Sequence, residues 1–106
     1  MLFEKQIKEE LYCVAGQNLK NVISLADSHF SSGSDEVQYE LESVYNAISQ
    51  LNYIHEADRN RVMLEIGNDI VSNHSSKDEQ NSISAFMYSA FMAFFSRCRD
   101  GKVKTA

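Results

Sequence analysis

No proline occurs anywhere in the 106 residues, and only four are glycine. Proline is the commonest breaker of helices and marker of loops, so its absence favours long helices joined by short connections. Apolar residues recur at intervals of three or four through most of the chain, and no stretch alternates apolar and polar residues cleanly enough to predict a strand. The fold class expected is all-α: a single-domain antiparallel helical bundle of about four helices, covering residues 1–106.

Periodicity divides the chain into four segments. The first spans about 2–30, with Phe3, Ile7, Leu11, Val14, Val22, Leu25, His29 and Phe30 on or near one face. Gly16 lies inside it at a cost of about 1 kcal/mol relative to alanine, which leaves open one kinked helix or two. The second spans 35–55. Asp35 reads as its cap with Gln38 completing a capping box, and Val37, Leu41, Val44, Ile48, Leu51 and His55 form a heptad-like seam. The third spans 58–73, capped by Asp58, with Val62, Ile66 and Ile70 inward and Met63 and Val71 beside them. The fourth spans 76–100. Ser76 and Glu79 form a capping box, and Ile83, Met87, Ala90 and Phe94 mark its inner face. Phe86, Phe91 and Phe95 widen that face, and Gly101 stops the helix.

Hydrophobic residues make up 43% and charged residues 24%, proportions of a chain that folds rather than of a disordered acidic one. The charged start MLFEKQIKEE lacks the apolar core of a signal peptide. The apolar run Ala85–Phe95 falls short of the roughly 20 residues that span a bilayer. With only Cys13 and Cys98 present, both at or beside apolar positions, reduced and buried thiols in a cytoplasmic protein are expected.

No catalytic carrier is visible. The serines lack a nucleophile-elbow pattern, and no glycine-rich segment resembles a phosphate loop. The histidines, His29, His55 and His74, show no metal-ligand spacing. His29 and His74 read as last-turn residues at the negative ends of their helices, although an antiparallel bundle would bring them to the same end. A non-enzymatic protein without cofactor or metal is therefore expected, with a metal-dependent enzyme using His29 and His74 as the remote alternative.

The charge pattern carries the functional reading. From Asn21 through Asp58 there is no Lys or Arg, while Asp27, Asp35, Glu36, Glu40, Glu42, Glu56 and Asp58 are acidic. With Val37, Leu41, Val44 and Ile48 buried, Glu36, Glu40 and Ser43 project along one flank of the second segment. Tyr39, Glu42, Asn46 and Tyr53 spread over the other. Carboxylates steer a basic partner, and tyrosines supply contact area at low entropic cost. The plain alternative is a solvated face, but such faces usually intersperse Lys with Glu.

The expectation is a small acidic inhibitor of a basic, nucleic-acid-handling protein, such as a bacterial toxin immunity protein, an antitoxin or a phage anti-defence protein. A net charge of −5 disfavours direct nucleic-acid binding. The alternative function is a homodimeric structural or regulatory module, with Tyr88, Phe91, Met92 and Phe95 as the candidate dimer interface.

Overall fold

The computed structural model describes residues 5–74 and 77–101, with backbone alone at 5–8, 14 and 74. Helices α1 (Lys5–Asp27), α2 (Asp35–Ser49), α3 (Arg59–His74) and α4 (Lys77–Arg99) are joined by short connections, with a 3₁₀ turn at Glu56–Asp58 before α3. Among the described residues there is no strand, and the fold is the expected all-α bundle.

Its helices form two antiparallel hairpins. In the first, Asn21 of α1 meets Glu40 of α2, while the earlier Glu10 meets the later Tyr53. In the second, Gly67 of α3 packs on Met87 and Phe91, and the later Ser72 accepts from the earlier Gln80. All four helices contribute to one apolar core, including Leu11, Leu19, Leu41, Ile48, Met63, Ile66, Phe91 and Phe94. The inward spacings Val62–Ile66–Ile70 and Ile83–Met87–Ala90–Phe94 are buried as the sequence predicts.

α1 runs unbroken through Gly16, because Leu11, Ala15, Leu19 and Val22 bury one continuous stripe on either side of it. It ends at Asp27, three residues before the expected boundary. His29 takes the left-handed conformation (φ 66°), its N–H donates to the Ala26 carbonyl at 3.0 Å, and the Phe30 N–H donates to the Leu25 carbonyl at 3.0 Å. That is a Schellman ending, with histidine where glycine is usual. His29 is thus a residue beyond the helix rather than a last-turn one, and Phe30 is exposed rather than on the apolar face.

α2 is capped by Ser34, whose Oγ accepts from the Val37 N–H at 3.4 Å. Asp35 is the first helical residue, where its charge suits the positive helix end. Gln38 closes no capping box. It is 3% exposed, and its amide donates to the carbonyls of Ser32 at 3.0 Å and Ala90 at 3.2 Å.

α2 stops at Ser49, six residues short of the expected 55. Leu51 N–H donates to Ile48 and Ile54 N–H to Leu51, and these three-residue turns return Ile54 to the core. The apolar spacing therefore continues after the helix has ended. Asp58 does not read as a free cap, since its carboxylate accepts from Arg61 at 2.6 Å.

α4 begins with Asp78 and Glu79 and ends with Arg97 and Arg99, charges that suit both ends of its dipole. Gly101, at φ 73°, ends it. The Ser76 capping box and the apolar contributions of Phe3, Ile7 and Val14 lie outside the described residues.

Candidate docking face

The outward side of α2 is fixed by the inward one. Burying Val37, Leu41, Val44 and Ile48 turns Glu36 and Tyr39 to solvent, and Tyr39 is 68% exposed. Ser43, one turn on, returns its hydroxyl to the Tyr39 carbonyl at 3.1 Å. These positions form the open part of the face.

The remaining candidates are drawn toward neighbouring elements. Glu40 leans on α1, where its Oε2 accepts from Asn18 Nδ2 at 2.9 Å and from Asn21 Nδ2 at 3.3 Å. Gln17 orients that pair by donating to Asn21 Oδ1 at 3.0 Å. Both donors to the carboxylate are neutral amides, so they hold Glu40 without cancelling its charge.

Glu42 leans the other way, and Arg97 Nη2 of α4 stands 4.0 Å from its carboxylate. The second segment is therefore not devoid of countercharge, as its own sequence suggests; α4 supplies one cation. That guanidinium is shared, since Arg97 Nη1 also donates to Gln38 Oε1 at 3.3 Å. A long, partly solvated pair of this kind contributes on the order of 0–1 kcal/mol.

Asn46 is half-buried. Tyr53 lies beyond the end of α2, roughly 20 Å along the helix axis from Glu36 at 1.5 Å per residue. Its hydroxyl donates to Glu10 Oε2 of α1 at 2.5 Å. Burial, then the Glu10 hydrogen bond and charge, push the Tyr53 hydroxyl up to about 12. The six expected residues thus form an open centre at Glu36 and Tyr39, two flanks held by α1 and α4, and a separate outpost at Tyr53.

Glu10, Asn18 and Asn21 belong to the same surface, although reading α2 alone missed them. Asn18 and Asn21 share a flank of the first helical segment, which was the available signal. Their meeting with Glu40 depends on how the hairpin packs.

On α4, Tyr88 is 60% and Met92 39% exposed, whereas Phe91 is 1% exposed and Phe95 is half-buried, its ring stacked on Phe91 with centroids 6.0 Å apart. Phe91 is accordingly a core residue and not part of an outer interface. The aromatics that widen the fourth segment are mostly absorbed inside: Phe91 and Phe94 are buried and Phe86 and Phe95 partly so.

Cys13 is exposed, contrary to the expected burial, and Cys98 is partly buried. Burial pushes the Cys98 thiol up, aided by Glu42 and opposed by Arg97. Burial and Asp69 raise the Tyr12 hydroxyl in the same direction. His29 and His55 are exposed, and the His74 side chain lies outside the described residues. Among the described residues no three His, Cys, Asp or Glu side chains converge as metal ligands, and no helix is long and apolar enough to cross a membrane.

No family model, no curated protein and no solved structure matches the chain.

Proposed function

We propose that this is a non-enzymatic, cytoplasmic protein-binding inhibitor that neutralises a basic, nucleic-acid-handling partner, in the manner of a toxin immunity protein, an antitoxin or a phage anti-defence protein. The observation that carries the reading is the exposure of Glu36 and Tyr39 together on α2, within a stretch of chain, Asn21–Asp58, that holds no Lys or Arg. Glu40 supports it, because a carboxylate held by two asparagine amides keeps an oriented negative charge beside that centre.

The mechanism is competitive. Glu36, Glu40 and Glu42 would occupy a positive groove that otherwise receives phosphates, with Tyr39 as the central anchor and Tyr53 a second contact at the far end of the hairpin. Charge steers the encounter and raises the on-rate, while the desolvated tyrosine holds the complex. The Arg97 contact makes Glu42 the weakest of the three acids for this purpose.

The test is capture from the native source with the full chain as bait, followed by competition. A basic protein that is retained and then displaced by its own nucleic acid supports the reading. Retention only of neutral or acidic proteins, or a complex indifferent to nucleic acid, contradicts it.

A further inference from the structure

The outer side of α4 has an unusual charge layout. No charged residue occurs between Glu79 and Arg97, and Arg97 is turned toward Gln38 and Glu42. What remains outward is an uncharged surface with two large exposed side chains, Tyr88 and Met92. It is closed at one end by Asp78 and at the other by Arg99, both exposed.

These features lie in register. Asp78, Ser82, Ala85, Ser89, Met92, Ser96 and Arg99 follow one another at spacings of 4, 3, 4, 3, 4 and 3. Six of them are exposed and Ser96 is half-exposed. A 3-4 repeat places residues along one narrow strip of a helix, suited to pairing with another helix. The strip is acidic where it starts and basic where it ends, so its complement is the same strip reversed.

We infer that α4 docks against α4 of a second copy of the chain, antiparallel and about a two-fold axis near Ser89. Asp78 then faces Arg99 of the second copy. Ala85 meets Met92, and the two Ser89 positions adjoin at the centre. An isologous contact of this kind satisfies every position twice with one surface. Parallel docking would set Asp78 against Asp78 and Arg99 against Arg99, so the terminal charges select the orientation.

Affinity comes from covering Met92, Ala85 and Tyr88, while the small residues between them let the helices approach. Ser32, whose hydroxyl lies 2.9 Å from that of Ser89, brings the α1–α2 loop beside the middle of the strip. The surface shares no residue with the α2 face, so it stands or falls independently of the proposed function.

Sedimentation equilibrium of the full chain over a range of concentrations reads the result directly. The expectation is a concentration-dependent species of about twice the 12.1 kDa chain mass. Met92→Lys and Asp78→Lys should each weaken it about tenfold or more, the equivalent of roughly 1.4 kcal/mol. Asp78→Lys with Arg99→Asp together should restore it, because the exchanged charges remain complementary only in the antiparallel arrangement. A chain that stays at monomer mass at every concentration overturns the inference. So does a dimer that neither single variant weakens, or one that the double exchange fails to recover.

Discussion

The ring of Phe91 fills the space that a side chain on Gly67 would need: a Cβ built there would stand 2.8 Å from Cε2 and 2.9 Å from Cζ of that ring. The glycine lies in the middle of α3, a position that costs about 1 kcal/mol relative to alanine in an isolated helix. Close approach of α3 and α4 is what it provides. Because Phe91 is itself buried and stacked against Phe95, the ring has little room to retreat.

Gly67→Ala should therefore destabilise the protein despite its higher helix propensity. Overpacking costs of about 1–3 kcal/mol set against that propensity gain of about 1 kcal/mol leave a net loss of roughly 0–2 kcal/mol, toward the upper end because the ring is confined. Urea unfolding measures it, and Phe91→Leu in the alanine background should recover part of the loss. A stabilised alanine variant would mean the ring moves aside freely.

Gln38 ties three elements together through Ser32, Ala90 and Arg97. Gln38→Met keeps the volume and removes every bond. Leaving the buried Ala90 carbonyl and the partly buried Ser32 carbonyl without this donor should cost roughly 1–3 kcal/mol in chemical denaturation. Arg97→Ala, which removes a partly solvated contact, should cost less. Equal losses in the two variants would show that the guanidinium, rather than the amide, holds the junction.

Tyr53 gives the fold an alkaline dependence. Its hydroxyl ionises at 10.0 ordinarily and at about 12 in the folded chain, so below pH 10 it is protonated in both states and its full contribution is present. Above that, the unfolded chain alone gains by ionising, and stability should fall until the pH passes about 12. Tyr53→Phe should flatten that part of the fall and remove a late-titrating component from the tyrosine absorbance. An unchanged absorbance titration would place the late ionisation on another tyrosine, with Tyr12 the first to examine.

Helix identity was legible from sequence because burial imposes periodicity directly. Val62, Ile66 and Ile70 had to face the same way in any helix that shields them. The ends of helices were less so. Serine at position 34 and aspartate at 35 are both good caps, and only backbone geometry distinguishes them. The end of α2 was masked because successive three-residue turns keep Ile48, Leu51 and Ile54 on one side, as a helix would.

Contacts between distant residues were not legible at all. Nothing near Glu42 in the chain announces Arg97, and nothing near Phe91 announces Gly67. The same limit applies to the docking face. Its open centre, Glu36 and Tyr39, follows from the helical period, whereas the Asn18 and Asn21 cradle for Glu40 follows from hairpin packing.

Glu36 and Tyr39 are the proposed docking centre for a basic protein, and calorimetric titration of the captured partner into the wild type and into Glu36→Lys/Tyr39→Ala measures their share of the binding. Both positions are exposed, so helical content should not change. The expected result is an affinity at least about tenfold lower in the variant, roughly 1.4 kcal/mol, together with wild-type binding that weakens as salt is added. Equal affinity of the two proteins, at matched helical content and in the same buffer, would contradict that proposal.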